Sequence, residues 1–189
     1  GEMPAIEMQQ RLRSLDIPLG PSPLKLLSSE WLSIEEKPIP NITTNEWRDS
    51  IKAFLRDHPE YKLLVVDNLS SLSPGKDESD KLDWDDINQW LIALRRLGVA
   101  VLVVHHAGKN GDQRGTSGRE DQLDLILKLS AVEGRERPTT VRAHFHKGRS
   151  LTGDQKKDFM FELASSSGGT ISLTHRAVSE DITALVAFL

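Results

Sequence analysis

Two short segments of the chain are built almost entirely from apolar residues, and a stretch with helical periodicity separates them. The first segment is Lys62–Asp67 (KLLVVD), and the second is Val99–Val104. Between them, apolar residues recur at helical spacing at Trp84, Ile87, Leu91 and Leu94. Unbroken apolarity is typical of strands that are covered on both faces, as in parallel α/β sheets. A strand, a helix and a second strand within about 45 residues predict a right-handed βαβ unit whose strands are parallel and adjacent or nearly so.

Upstream of this unit, the pattern predicts two helices and a short strand. A rough helical stripe covers residues 4–16, and Leu24–Ser28 (LKLLS) has the pattern of a strand. A second helix is predicted over residues 44–57, where Thr43 and Glu46 have the spacing of a capping box. The apolar face of this helix consists of Trp47, Ile51, Phe54 and Leu55.

Downstream of the βαβ unit, the pattern changes to that of antiparallel strands. Alternation predicts a strand at Leu123–Leu129 with a neighbour at Thr139–Lys147. Phe159–Leu163 and Thr170–Leu173 flank the turn SSSGG and predict a terminal hairpin. Residues 179–189 have a helical pattern.

These segments together predict an α/β fold. Its mainly parallel sheet is flanked by helices and continues into antiparallel strands and a C-terminal hairpin. We expect one domain over residues 1–175, followed at 176–189 by a C-terminal helix or the start of a further segment. Ser70–Leu82 is predicted to be a polar loop, Asp83 to cap the helix of the βαβ unit and Gly98 to end it.

Composition narrows the classes of function. The 189 residues carry a net charge of −4, which excludes a globally basic nucleic-acid binder but leaves room for a local basic patch. The absence of cysteine excludes disulfides, cysteine-ligated zinc and thiol nucleophiles. The longest strongly apolar run is far shorter than a membrane span of roughly 20 residues, and the N-terminus has no signal core. We expect a cytoplasmic protein with no membrane partner.

The carboxyl edge of the predicted sheet is the first candidate site. Asp67 ends an apolar strand, and ligands of α/β proteins bind where such strands end. In folds that hydrolyse nucleotides, an aspartate at this point holds magnesium through water. The alternative is a buried strand followed by an Asp-Asn turn. The second apolar strand delivers His105 and His106 to the same edge.

Basic residues after the strands suggest contacts with phosphate. Lys109, Arg114 and Arg119 lie in a glycine-rich loop, and such loops grip phosphates or follow a nucleic-acid backbone. Lys147 and Arg149 are two positions apart, so in an extended segment they point the same way towards a polyphosphate. The alternative for the loop is a solvated surface segment. The alternative for Lys147 and Arg149 is an edge strand whose charges prevent it from pairing with another chain.

Histidines offer one competing type of site. His105, His106, His144 and His146 could form a zinc or nickel cluster, because His-x-His on a strand puts both rings on one face. In the alternative, His105 and His106 belong to the sheet edge, and His144 and His146 are ordinary residues of a strand.

Four segments together resemble the RecA-like ATPases. They are the GEMPA start, the strand ending in VVDN, the VVHHAGKNGDQRGTS segment and FHKGRS. The resemblance covers most of residues 1–150 and is closest to the RepA-like plasmid and phage helicase branch and to ATPase domains fused to primases. It implies a RecA-like parallel sheet and ATP hydrolysis in DNA replication.

The resemblance also implies roles for particular residues. Asp67 resembles the Walker B aspartate that positions magnesium, and Glu2 the glutamate that activates the attacking water. His105 or His106 resembles the sensor of the γ-phosphate. The loop at 107–118, with Lys109, Arg114 and Arg119, is similar to a loop that binds single-stranded DNA, and Ser70–Leu82 to a second one. Lys147 and Arg149 resemble the basic pair that one subunit inserts into its neighbour's ATP site, which implies a homo-oligomer such as a hexamer.

The sequence departs from this family in one respect. It contains no G-x-x-x-x-G-K-[ST] loop, which such ATPases need to hold ATP. We therefore expect the chain to begin after its P-loop, to bind neither ATP nor Mg²⁺ tightly alone, and to be inactive alone, whereas the complete protein uses both. The alternative is a degenerate RecA-like module that binds nucleic acid or oligomerises without hydrolysis.

Overall fold

The computed structural model describes residues 3–15, 24–75, 81–106, 122–132, 139–166 and 169–177. The helices are α1 (Ala5–Ser14), α2 (Ser29–Ile34), α3 (Asn45–Asp57), α4 (Leu69–Leu72) and α5 (Lys81–Arg96). The strands are β1 (Leu63–Val66), β2 (Ala100–Val103), β3 (Leu125–Ala131), β4 (Thr139–Gly148), β5 (Phe159–Ser165) and β6 (Ile171–Ala177). None of the described helices combines the length and apolarity needed to cross a bilayer.

The chain forms two compact units. The first comprises Gly1–Gln9 and Pro18–Gln122, and the second comprises Gln10–Ile17 and Leu123–Leu189. The first unit contains the parallel strands and helices α2 to α5, and the second contains the antiparallel strands. The structure is therefore of the α/β class that the sequence predicts. The predicted helix at 179–189 lies outside the described residues.

The first unit is built around the predicted βαβ unit. Strands β1 and β2 pair in parallel and in direct register, with Val66 opposite Val103. Helix α5 forms the crossover, and its end at Gly98 is confirmed by a left-handed backbone with a φ of 76°. The helix begins at Lys81, two residues before the predicted cap at Asp83.

One face of this sheet packs on the core, which contains side chains of α3, α5, both strands and their flanking residues. The buried members are Ile42, Leu55, Val66, Trp84, Ile87, Trp90, Leu94 and Val99. The other face contradicts the prediction that both faces are covered, because Leu63, Val65 and Leu102 are 57%, 50% and 53% exposed. Unbroken apolarity along a strand marks residues that can be buried, whereas burial itself depends on what packs against them.

Helix α3 begins one residue later than the capping box predicts. Thr44, not Thr43, is the N-cap, and its hydroxyl accepts a hydrogen bond from the backbone N–H of Trp47 at 3.5 Å. The hydroxyl of Thr43 instead donates to Oδ1 of Asn41. Arg48 is buried on α3, where its guanidinium donates to the carbonyl oxygens of Ile42 and Thr43. The buried positive charge is thus compensated by backbone dipoles, and the carboxylate of Asp86 lies 3.5 Å away.

The predicted strand at Leu24–Ser28 is wrong. These residues pair with no other strand in the described part of the chain, and Ser28 caps helix α2, which the sequence analysis missed. A strand needs a partner for its backbone groups, and local apolarity does not supply one. The predicted loop at Ser70–Leu82 is likewise replaced at its start by helix α4.

The second unit is a four-stranded antiparallel sheet in the order β3-β4-β5-β6. It confirms the predicted strand neighbours and the terminal hairpin. Ala143 is fully buried, and the ring centroids of Phe145 and Phe159 lie 5.8 Å apart on the same side of the sheet. A bulge between Ile126 and Leu127 shifts the pairing of β3 with β4 near the end of β4.

Candidate functional site

Asp67 and His105 lie at the same edge of the parallel sheet, as the sequence predicts. Asp67 directly follows β1 and is exposed. The backbone N–H of Val104 donates to the carbonyl oxygen of Val66 at 2.9 Å, and so continues the ladder to the residue before His105. The carboxyl end of each strand therefore delivers one polar side chain to the region where α/β proteins bind ligands.

The backbone that follows Asp67 is held by hydrogen bonds. The peptide bond between Asp67 and Asn68 is cis. Asn68 is buried, and its side-chain oxygen accepts from the N–H of Ser71 at 2.9 Å, which caps α4. The N–H of Leu69 donates to the carbonyl oxygen of Val104 at 2.9 Å. The segment after β1 and the segment after β2 are therefore joined directly, so Asp67 projects from a fixed support.

The two histidines of this edge differ in environment. His105 is half-buried, and both of its ring nitrogens are shielded from solvent. His106 is exposed. A group that detects a ligand at the sheet edge needs a defined position, and of the two rings His105 is the more enclosed.

The donor set at Asp67 suits a magnesium ion that arrives with phosphates. Mg²⁺ is usually bound by one or two carboxylates, several waters and substrate phosphates. Within the described ranges, no group of three or more His, Cys, Asp or Glu side chains could hold a metal ion. His144, one of the four histidines of the alternative metal site, contacts the carboxylate of Asp158. A single exposed carboxylate fits magnesium bound jointly with a nucleotide.

Lys147 and Arg149 lie at the end of β4 in the second unit. Lys147 is opposite Ile126 within the sheet, whereas Arg149 follows the last strand residue, Gly148. The N–H of Arg149 donates to the carbonyl oxygen of Asp124 at 2.9 Å, and its guanidinium lies 4.0 Å from the carboxylate of Asp124. Arg149 lies beyond the end of the strand. The alternation of side chains along a strand therefore does not predict that Arg149 points the same way as Lys147.

Four predicted site residues lie outside the described residues. They are Glu2, Lys109, Arg114 and Arg119. Their predicted roles in water activation and DNA binding remain predictions.

A polar cluster that the sequence analysis missed lies on the second sheet. The carboxylate of Asp158 lies 2.8 Å from Nδ1 of His144 and accepts from Nε of Arg142 at 2.8 Å. Burial raises the pKa of Asp158, but the hydrogen bonds from His144 and Arg142 outweigh it, so the pKa lies below its ordinary value. The i, i+2 spacing of Arg142 and His144 was visible in the sequence, but Asp158 is brought to them only by the pairing of β4 with β5.

The comparison with protein families supplies an independent finding. The family model described as an AAA domain matches residues 1–112, which include β1, β2 and the edge that carries Asp67 and His105. A comparison with curated proteins finds no match. Because the match covers more than half of the 189 residues, the chain belongs to the AAA domain family and contains an ATPase-like module.

Proposed function

We propose that this chain is part of a magnesium-dependent ATPase of the RecA-like, RepA-like type that acts in DNA replication as a plasmid or phage helicase or beside a primase. The observation that carries the proposal is the juxtaposition of Asp67 and His105 at the carboxyl edge of a parallel sheet, within the segment that matches the AAA domain.

Each residue has a defined part in this proposal. Asp67 holds Mg²⁺ through water, and the bound ion would neutralise charge on the phosphates of ATP. His105 detects the γ-phosphate from the neighbouring strand end, with His106 as the alternative. Glu2 orients the attacking water. The position of Asp67 and His105 at one sheet edge supports their proposed roles, whereas Glu2 is assigned by resemblance alone.

The proposed active assembly is a homo-oligomer. Lys147 and Arg149 reach the ATP site of an adjacent subunit, where their charges would stabilise the phosphoryl group during transfer. Lys109, Arg114 and Arg119 bind single-stranded DNA. The basic character of these five residues supports both assignments.

A non-hydrolysing module is the second candidate. It is favoured by one observation, the absence of a G-x-x-x-x-G-K-[ST] motif from the 189 residues. Both candidates predict that this chain alone shows no ATP turnover above background. In the first candidate Asp67 binds magnesium together with the nucleotide, whereas in the second it does not.

Paramagnetic relaxation by Mn²⁺ with ATP distinguishes the two candidates. Mn²⁺ takes the place of Mg²⁺ and broadens NMR signals close to it. At millimolar ATP, we expect the broadening to be concentrated on the backbone amides of Val66, Leu69 and Val104, which surround Asp67. Asp67→Asn should abolish it, because the substitution removes the charge with little change in shape.

The matched control is Asp49→Asn, which removes another exposed carboxylate from the same unit. It should leave the broadening unchanged. Broadening that persists in Asp67→Asn, or that is equally strong far from the sheet edge, would contradict the magnesium role of Asp67. Magnesium-dependent ATP hydrolysis by the chain alone, lost in Asp67→Ala, would contradict its proposed inactivity.

A further inference from the structure

An apolar groove lies between helices α2 and α3 of the first unit. Its volume is about 250 Å³, enough for one or two large side chains. The lining residues are Leu32, Lys37, Pro38, Glu46, Trp47 and Ser50. No step of the proposed ATPase uses this groove.

A tight turn at the end of α2 shapes the groove. Glu36 has a φ of 53°, a left-handed conformation that is uncommon for a residue other than glycine. The N–H of Lys37 donates back to the carbonyl oxygen of Leu32 at 2.8 Å, which closes the turn. The chain consequently reverses at once, and this brings Lys37 and Pro38 into the lining of the groove together with Trp47.

The charged residues that line the groove are Lys37 and Glu46, and the segment of the chain that contains them is acidic. Residues 29–50 contain five acidic and two basic side chains. Of the two cations, Arg48 is only 6% exposed and donates to backbone carbonyls, and Lys37 is paired with Glu35 at 2.5 Å. The pKa of Glu35 is lowered by hydrogen bonds from Lys37 and Trp31, so this carboxylate stays charged. Helix α2 also exposes Trp31 and Ile34 at 56% and 70%.

We propose that this groove binds a partner-protein segment that places an apolar anchor residue beside arginine or lysine. The apolar side chains of Leu32, Pro38 and Trp47 would receive the anchor, and the surrounding carboxylates would attract the adjacent cation. The same negative charge disfavours nucleic acid, whose phosphates it would repel. The surface is therefore a site for a basic, amphipathic peptide.

The test uses a labelled synthetic peptide with leucines at helical spacing and arginines between them, added to the full 189-residue chain. NMR follows the four indole N–H signals of the protein. Binding should shift the signal of Trp47, which lines the groove, and leave those of buried Trp84 and Trp90 unmoved. A peptide with glutamate in place of arginine, and one with alanine in place of leucine, should each bind at least tenfold more weakly.

Charge variants locate the site. Glu46→Lys should weaken binding of the arginine peptide about tenfold, because one attraction becomes a repulsion. Asp57→Lys makes the same change in net charge at the far end of α3, about 16 Å away, and should leave binding unchanged. Ser50→Arg provides a second variant that fills and charges the groove without altering the first turn of α3.

Three outcomes would overturn the proposal. The first is that the Trp47 signal does not move, and the second is that the glutamate peptide binds as tightly as the arginine peptide. The third is that the Trp47 signal shifts with protein concentration alone, which would mean that a second copy of the chain fills the groove. None of these outcomes bears on Asp67, so the proposed function stands or falls separately.

Discussion

The carboxylate of Asp158 and the imidazole of His144 are joined at 2.8 Å across neighbouring segments of the second sheet. The same carboxylate lies 2.6 Å from Nη2 of Arg142. Asp158 immediately precedes β5, whereas both of its partners lie on β4. The side chain of Asp158 thus links the start of β5 to the middle of β4.

Removal of this carboxylate charge should destabilise the second unit. We expect Asp158→Asn to lower the free energy of unfolding by about 1 kcal/mol, a modest value because Arg142 and His144 are half exposed and solvent screens them. Urea denaturation monitored by a probe in the second sheet measures the change. The matched variant Asp154→Asn, whose side chain is 90% exposed, should have a smaller effect. Equal losses for the two variants would contradict a role for the cluster.

The lowered pKa of Asp158 predicts the pH range in which its contribution disappears. The folded state holds the proton less tightly than the unfolded state, so stability from this group is fully present above the ordinary aspartate pKa of about 4. It is lost as the pH falls through the lower, folded-state pKa. The difference in unfolding free energy between the parent and Asp158→Asn should therefore shrink as the pH falls below 4. A difference that grows as the pH falls below 4 would contradict the lowered pKa of Asp158.

The core of the first unit should be sensitive at Leu94. This side chain is fully buried on α5 among the core residues. We expect Leu94→Ala to cost about 3 kcal/mol, because it removes buried methyl groups and leaves a cavity. Thermal or urea unfolding checks the value. Leu97→Ala, three residues later at 37% exposed, is the control and should cost less than half as much.

Single-stranded DNA should bind weakly through Lys109, Arg114 and Arg119. With only a few phosphate contacts, a plot of log affinity against log salt should have a slope of about −2 to −3. No Phe, Tyr or Trp lies in the segment 105–119, so stacking on bases adds little and affinity is modest. Fluorescence anisotropy of a labelled oligothymidine at several salt concentrations measures both quantities.

The triple substitution to alanine should flatten that slope. Its control replaces Lys52, Arg56 and Lys62 with alanine, which removes the same charge from exposed positions of the first unit. Binding that is absent at low salt would contradict the assignment. So would binding that the control reduces as much as the loop substitution does.

The sequence predicts correctly those features that depend on residues close together in the chain. The βαβ unit follows from two apolar runs and one helical stripe, and the position of Asp67 and His105 at one sheet edge follows from the parallel pairing of the strands that precede them. Gly98 marks a helix end because its backbone is left-handed. The antiparallel strands of the second unit were likewise predicted, from the alternation of apolar and polar residues and from the turn residues between them.

Long-range contacts account for the errors. Leu24–Ser28 has a strand-like pattern, yet no strand in the described residues pairs with it. The exposure of Leu63 and Val65 depends on what packs on the sheet, which neighbouring residues do not encode. The Asp158 cluster and the groove at Trp47 both need the folded arrangement of segments. The cap is Thr44 and not the predicted Thr43, because the Thr43 hydroxyl is bonded to Asn41 instead.

The order of strands in the second sheet has a kinetic consequence. Among the described residues, each of β3 to β6 pairs only with its neighbour in the chain, so every strand contact closes a short loop. The first unit differs, because α4 and α5 separate β1 from its partner β2 along the chain. Folding rates fall as the sequence separation of contacts increases. The meander is therefore expected to acquire its pairing early, while the edge that carries Asp67 and His105 is completed later.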